Sequence, residues 1–151
     1  MKDFLIEKLY EISSKPYAKY CKRNQPWSIS KDQMLRMDKE SLGFALGYFL
    51  VKNGFEIQPK LEDHDVFHVL TNTGTSVYEE IGMQFYLLAN GKRSLYLFLV
   101  IITGILFYPV KIKYFKLQYL RGKQALPFHD VVFLELLEKP LKTLRNDLNI
   151  R

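Results

Sequence analysis

The stretch HDVFH at residues 64–68, followed after eleven further residues by Glu80, carries the strongest signal in this chain. On a helix, His64 and His68 are one turn apart and Asp65 precedes His68 by three residues, so we expect the three side chains to lean over one face. Glu80 supplies a fourth ligand if the chain doubles back before it. Two imidazoles and two carboxylates suit a divalent cation, with zinc the default and iron or manganese as alternatives.

A second interpretation of the histidine pair needs no metal. His64 and His68 would then be half-buried helix residues that hydrogen-bond to backbone groups. Asp65 and Glu80 favour the metal, because two carboxylates brought together repel each other unless a cation compensates their charge. The sequence therefore predicts a metal site made of His64, Asp65, His68 and Glu80.

Helix signals surround these residues. Asp63 is the expected N-cap of the helix that carries the histidines, and the sequence Asn72-Thr73-Gly74 predicts its end. Ser76 and Glu79 form a capping-box pattern that predicts the start of the next helix, which should run to Asn90-Gly91. A helix, a glycine turn and a second helix make a corner that brings Glu80 back to the histidines.

The segments before this corner also show helical periodicity. Phe4, Leu5, Leu9 and Ile12 predict a first helix that ends before Pro16. Ser30 with Gln33 predicts a capping box, and the apolar spacing from Leu42 to Leu50 predicts a strong helix that ends at Asn53-Gly54. Residues 56–61 should form an extended link, because Pro59 disfavours a helix there.

The segments after the corner end with two further helical patterns. We expect Arg121-Gly122 and Pro127 to break the chain, and residues 131–137 to form one or two helical turns. Pro140 should start or kink a last helix that contains Leu141, Leu144 and Leu148. No strand and no internal repeat emerges from these patterns. The prediction is an all-α fold of about seven helices.

Residues 94–110 form a run of seventeen uncharged residues between basic flanks. A membrane crossing needs about 20 apolar residues, and Gly104 and Tyr108-Pro109 interrupt this run further. The expectation is therefore a central apolar helix that is either buried on most sides or lies against a bilayer or a lipid tail.

Composition limits the class of protein. A chain of 151 residues builds one core but not two, so we expect a single compact domain over residues 1–151. The single Cys21 excludes an internal disulfide and fits a reducing compartment. The start of the sequence shows neither a secretory signal nor a transit peptide.

The net charge of +6 comes from one segment. Between Gly91 and Ala125 there is no acidic residue, while the rest of the chain is nearly balanced. Apolar and aromatic residues separate the basic ones and no nucleic-acid motif is present, so anionic lipid headgroups explain the segment better than nucleic acid. The basic residues are Lys92, Arg93, Lys111, Lys113, Lys116, Arg121 and Lys123.

The pattern H-D-x-x-H-x(11)-E resembles the signature of the coenzyme Q (ubiquinone) biosynthesis family, the fourth-named Coq protein and its bacterial relatives. The resemblance continues in order along most of the chain from about Leu42 onward. It includes Ser41-Leu42-Gly43, the Thr75 turn, Arg121-Gly122-Lys123 and the closing segment from Leu144 to Ile150.

This resemblance implies an all-helical fold with zinc or another divalent metal at His64, Asp65, His68 and Glu80. It implies metal-dependent, oxidative decarboxylation of a polyprenyl hydroxybenzoate, which would make the chain a carboxy-lyase. It also implies a groove for a polyprenyl tail and assembly with other quinone-biosynthesis enzymes, while a homo-oligomer stays open. The residues expected to meet the lipid are Phe85, Phe98, Phe107, Lys111 and Lys113, with core packing as the alternative for the three phenylalanines.

The expected location is the cytoplasm, with peripheral attachment to the inner membrane. Because no organellar targeting segment is visible, a bacterial setting is expected rather than a mitochondrial one. Two other functions compete with the decarboxylase. One is a non-catalytic, metal-stabilised scaffold that binds a prenyl lipid, and the other is a metal hydrolase in which Asp65 replaces the usual general-base glutamate.

Overall fold

The computed structural model describes residues 26–59 and 62–151. These residues form seven α-helices and no strand, which confirms the all-α prediction. The predicted helix at Phe4–Ile12, Cys21 and the end of the predicted extended link at Lys60-Leu61 lie outside the described residues. The helices are α1 (Lys31–Leu35), α2 (Leu42–Asn53), α3 (Glu62–Thr71), α4 (Val77–Ala89), α5 (Leu95–Phe107), α6 (Ile112–Gln124) and α7 (Leu141–Asp147).

The helix ends follow the local sequence signals. Both predicted capping boxes are present, at Ser30 with Gln33 and at Ser76 with Glu79. Helix α2 ends at Gly54, whose φ of 66° is the left-handed conformation that glycine adopts without a steric penalty. Asn72 has a φ of 52° directly after α3, which explains how the chain leaves that helix.

Two predicted boundaries are wrong. Helix α3 already includes Glu62, so Asp63 lies in its first turn and is not the N-cap. The carboxylate of Glu62 accepts a hydrogen bond from the backbone N–H of Trp27 at 2.9 Å.

Helix α6 runs through Arg121-Gly122 without a break, so the second boundary is also wrong. Gly122 lies directly against the backbone of Tyr86, and the packing there leaves no room for a side chain.

The core is one cluster of buried apolar side chains from α1, α2, α3, α4, α5 and α7. Helix α4 lies in the middle and packs along α6 and α5. The start of α7 is tied to the start of α2, since Pro140 and Ser41 form an isolated antiparallel bridge and Leu42 N–H donates to Lys139 O at 2.8 Å. A short 3-10 helix at Phe133–Leu136, within the segment predicted to be helical, adds the buried Phe133.

Helix α5 was predicted either to be buried on most sides or to lie against a bilayer or lipid tail, and the first of these is wrong. Only Leu97, Ile101 and Gly104 on this helix are buried, so it is not enclosed on most sides. Gly104 lies against Ile81 of α4 with no space for a side chain, which brings the two helices close together. The exposed apolar residues are Leu95, Phe98, Leu99, Ile102, Ile105, Leu106 and Phe107.

No single helix among the described residues is both long and apolar enough to span a membrane. Two consecutive segments, Leu95–Phe107 and Pro109–Gln124, reach that length and composition only when taken together, and they are bent by 103° relative to each other. Pro109 follows the last residues of α5 and starts the 3-10 turn Pro109–Lys111 at this bend.

Candidate metal centre

The structure brings His64, His68 and Glu80 together in one group. His64 and His68 lie one turn apart on α3, and Glu80 lies in the first turn of α4. Nε2 of His68 is 2.9 Å from Oε1 of Glu80, and Nε2 of His64 is 3.2 Å from Oε2 of the same carboxylate. The two Nε2 atoms are 3.3 Å apart. Three side chains that can bind a metal therefore face a common centre.

The orientation of His68 is fixed from two sides. Its Nδ1 lies 3.1 Å from the carbonyl oxygen of Thr73, to which an Nδ1–H donates. Its ring also stacks on Phe49 of α2, with centroids 5.5 Å apart and planes at 18°. A histidine whose Nδ1 is held by a backbone carbonyl presents the lone pair of Nε2, as metal-binding histidines do.

The electrostatics of the group come from burial and from the contacts between its members. Burial lowers the pKa of His64, and the attraction of Glu80 offsets only part of this effect. Burial also acts to lower the pKa of His68, but the hydrogen bond and charge of Glu80 outweigh it, so that pKa is raised. Burial alone would raise the pKa of Glu80, yet the two imidazoles lower it to about 2. Glu80 is therefore an ionised carboxylate at neutral pH.

The three residues fit a small divalent cation. In a tetrahedral zinc site with ligand distances of about 2.0–2.2 Å, neighbouring ligand atoms lie roughly 3.3–3.6 Å apart. The separations of 2.9–3.3 Å found here are slightly shorter than this, so small side-chain movements would bring the ligand atoms to the spacing of a zinc site. Oε2 of Glu80 is buried and accepts no well-aligned hydrogen bond from the described residues, although Nε2 of His64 lies 3.2 Å away, so this oxygen is available to a cation.

Asp65 is the one predicted ligand that the structure does not bring into this group. The cluster of metal-competent atoms that lie within 4.8 Å of one another contains His64, His68 and Glu80. Residues one apart on a helix point about 100° away from each other, so Asp65 diverges from His64. Its negative charge still contributes to the raised pKa of His68, after the larger effects of burial and Glu80.

The end of α3 is held by residues that the sequence did not single out for this role. Arg145 of α7 donates to the carbonyls of Val69 at 2.7 Å and Leu70 at 3.0 Å, and Arg121 of α6 donates to the carbonyl of Thr71 at 2.7 Å. These carbonyls have no helical partner at a C-terminus, so the arginines satisfy them. Both arginines lie in segments that carry the family resemblance, but no local sequence pattern indicates these contacts, because they join positions far apart along the chain.

The predicted lipid-binding residues fall into two environments. Phe85 stacks on Phe115 with centroids 5.0 Å apart and is half-buried, which is a packing position. Phe98 and Phe107 are exposed on α5. Lys113 is exposed on α6, and Nζ of Lys111 lies 4.0 Å over the ring of Tyr78 in a cation–π contact.

A pocket of about 420 Å³ lies beside the metal centre and meets it at His68. Helices α2, α3 and α7 and the turn after α3 line this pocket. Its polar side chains come from different helices, and its aromatic wall comes from α2. Lining residues include Tyr48, Phe49, Lys52, Asn72, Thr75 and Arg145.

Comparison with known proteins identifies similar sequences and folds. Residues 56–151 match the model of the family described as Coenzyme Q (ubiquinone) biosynthesis protein Coq4. No curated protein matches the chain. The crystal structure of a proposed ubiquinone biosynthesis protein from Nostoc punctiforme PCC 73102 has a similar fold, with a TM-score of 0.70 and 16% sequence identity over 95% of this chain and 78% of that chain. At this identity the likeness concerns the fold alone.

Proposed function

Because the chain belongs to the coenzyme Q (ubiquinone) biosynthesis protein Coq4 family, whose model matches more than half of it, we propose that it acts in coenzyme Q biosynthesis as a metal-dependent decarboxylase of a polyprenyl hydroxybenzoate. The family membership confirms the resemblance drawn from the sequence and supports the role in coenzyme Q biosynthesis. The reaction, the metal and the membrane attachment are the finer parts of the proposal.

The observation that carries the chemistry is the convergence of His64, His68 and Glu80. They would hold a divalent ion, with zinc the default, and Asp65 is the further predicted ligand on the same helix. When bound, such an ion supplies Lewis-acid stabilisation of negative charge on a carboxylate or phenolate. The protein keeps the three side chains largely out of water, since they are 17%, 2% and 23% exposed.

The reaction breaks the bond between the ring carbon and its carboxylate. Carbon dioxide leaves and the electron pair stays on the ring carbon, which then takes a proton. In the oxidative form, a hydroxyl replaces the carboxylate. One atom of dioxygen enters this hydroxyl and the other leaves as water, so dioxygen and a two-electron donor must be supplied from outside this chain. The chain's own contribution is to orient the ring and to keep Glu80 ionised beside it.

Peripheral attachment to a membrane is supported by α5 and its flanks. The exposed apolar side of α5 lies between the basic pairs Lys92-Arg93 and Lys111 with Lys113. An amphipathic surface with cations at its edges is typical of helices that lie in the headgroup region of an anionic leaflet. The proposed site of action is therefore the cytoplasmic face of a bacterial inner membrane, together with other quinone-biosynthesis proteins and a polyprenyl substrate.

The test measures carbon dioxide release. Purified chain, loaded with zinc, iron or manganese in turn, is mixed with a prenylated hydroxybenzoate in detergent or vesicles, with and without dioxygen and a reductant. We expect metal-dependent release that is lost on chelation. The proposed decarboxylase activity would be wrong if the chain carried stoichiometric metal and bound prenyl lipid but released no carbon dioxide under any of these conditions.

The alternative is a non-catalytic scaffold in which the metal ties α3 to α4. The low exposure of His68 favours this role, because a buried ligand leaves a substrate little access to the ion. If Asp65 also bound the ion, four protein ligands would leave no open coordination position. The scaffold role predicts that metal removal lowers the stability of the domain and weakens lipid binding, and that the metal-loaded chain catalyses no reaction.

A further inference from the structure

Two buried threonine hydroxyls meet at the end of α3, beside the metal centre. Thr71 is fully buried at 0% exposure, and Thr73 is 5% exposed. Their Oγ1 atoms lie 2.7 Å apart, which is a hydrogen-bond distance. Burying a hydroxyl costs free energy unless it is hydrogen-bonded, so this pair has a strong preference for the arrangement in which both hydroxyls are satisfied.

The direction of the hydrogen bonds shows which threonine is the anchor. Oγ1 of Thr71 also lies 2.7 Å from the carbonyl oxygen of Phe67, one turn earlier on α3. A carbonyl can only accept, so the hydroxyl of Thr71 donates there, and the hydroxyl of Thr73 therefore donates to Oγ1 of Thr71. The backbone of Thr71 is held as well, because its carbonyl accepts from Arg121 at 2.7 Å. Thr71 is thus a fixed point to which Thr73 is attached.

Thr73 in turn is bound to His68 through its backbone. Its N–H donates to the carbonyl oxygen of His68 at 3.2 Å, and its own carbonyl accepts from Nδ1 of His68 at 3.1 Å. Asn72, with its φ of 52°, turns the chain so that Thr73 lies back against the helix. The bond to Thr71 is a third point of attachment, and it opposes any rotation that would move the carbonyl of Thr73 away from the imidazole.

We propose that Thr71 is a positioning residue of the metal centre. Acting through Thr73, its hydroxyl holds the carbonyl that keeps a proton on Nδ1 of His68, and this leaves the lone pair of Nε2 free for a metal ion. A histidine that binds a metal through one ring nitrogen is oriented by the hydrogen bond that its other nitrogen donates. The inference rests on the metal site of the proposed function and deepens it, because it adds a residue that contacts none of the three ligands through its side chain.

The test measures the zinc affinity of the full chain by competition with a chelating dye. Thr71→Val removes the hydroxyl but keeps the branched shape, and we expect it to weaken zinc binding about tenfold. Thr71→Ser keeps the hydroxyl and removes a buried methyl group, so its melting temperature should fall while its zinc affinity stays at the wild-type value. The matched control is Thr103→Val on α5, where the lost hydroxyl donates to the carbonyls of Leu99 at 2.9 Å and Val100 at 3.0 Å. Its zinc affinity should be unchanged.

Two further measurements separate positioning from a general loss of stability. Thr73→Val keeps the backbone carbonyl but removes the donor, so it should weaken zinc binding by the same factor as Thr71→Val. The double variant should be no weaker than either single one, because the two hydroxyls act through one shared contact. In the zinc-loaded chain, nitrogen-15 NMR follows the Nδ1–H proton of His68, which should exchange with water faster in Thr71→Val than in the wild type or in Thr71→Ser.

The outcomes distinguish this inference from the proposed function. If wild-type protein binds zinc and Thr71→Val keeps both the affinity and the slow exchange of the Nδ1–H proton, the threonine pair only stabilises the end of α3 and the inference is wrong. If wild-type protein binds no zinc, the metal centre and the positioning role fall together. If the threonine variants behave as expected but the zinc-loaded chain releases no carbon dioxide, the positioning role stands and the proposed reaction fails.

Discussion

The corner between α3 and α4 and the corner between α5 and α6 are both short connections between consecutive helices, but they use their side chains in opposite ways. At the first corner, polar groups point inward, where His64, His68 and Glu80 meet. At the second corner, apolar residues of α5 point outward and Gly104 points inward, so that α5 lies close to α4; α6 then lies close to α4 at Gly122.

The difference shows what holds each corner together. The first corner depends on charge and on hydrogen bonds that orient a few atoms, such as the one between Nδ1 of His68 and Thr73 O. The second corner depends on close steric fit at Gly104 against Ile81, and the helix that follows it fits as closely against α4 near its far end, at Gly122 against Tyr86. Substitutions at the first corner should therefore change metal binding, and substitutions at the second should change stability or binding to membranes.

The largest expected effect is loss of the metal from the first corner. His64→Ala removes one of three converging donors, so we expect metal content, measured by elemental analysis after dialysis, to fall from one ion per chain to none. The domain should stay folded by circular dichroism, because the core cluster does not include His64. The control is His129→Ala, which removes a histidine from the loop after α6. Stoichiometric metal retained by His64→Ala would contradict the site.

The next effect is on the packing of α6, the helix that follows the second corner, against α4. Gly122→Ala places a methyl group against the backbone of Tyr86, which cannot move out of the way as a flexible side chain would. We expect the free energy of unfolding, measured by urea denaturation, to fall by about 2–3 kcal/mol. Gln124→Ala in the last turn of the same helix is the control. An unchanged stability of Gly122→Ala would show that α4 and α6 are not packed this closely.

A smaller effect is expected at the outer face of the second corner. Ile102 and Leu106 are 62% and 70% exposed, so replacing both by glutamine removes little from the core. We expect co-sedimentation with vesicles of phosphatidylcholine and phosphatidylglycerol to weaken about tenfold, without a change in stability or metal content. Equal binding of wild-type and variant protein to these vesicles would remove the case for attachment through α5.

The smallest effect distinguishes two adjacent carboxylates at the first corner. Glu79 accepts the Ser76 N–H at 3.1 Å in the capping box, whereas Glu80 faces the histidines. Glu79→Ala should lower the free energy of unfolding by about 1 kcal/mol and leave the metal content at one ion per chain. Glu80→Ala should remove the metal. Loss of metal from both variants alike would mean that the two glutamates do not have separate roles.

Much of the fold and part of the site could be predicted because their signals are local. Capping boxes at Ser30 and Ser76 and the stop at Gly54 involve residues a few positions apart, so their effect does not depend on the rest of the molecule. The spacing of His64 and His68 is also local to one helix. Arg121-Gly122 was predicted to break the chain, and this was wrong because the decisive contact is with Tyr86, which is distant in sequence.

The sequence by itself determined the all-α class, the ends of most helices, the histidine pair and the basic character of one segment, since periodicity, capping and charge are properties of neighbouring residues. Only the tertiary structure decided that Glu80 meets the histidines while Asp65 lies outside that group, and that α5 exposes its apolar side. These features depend on how helices pack, and packing is a sum of contacts between residues that the sequence keeps far apart.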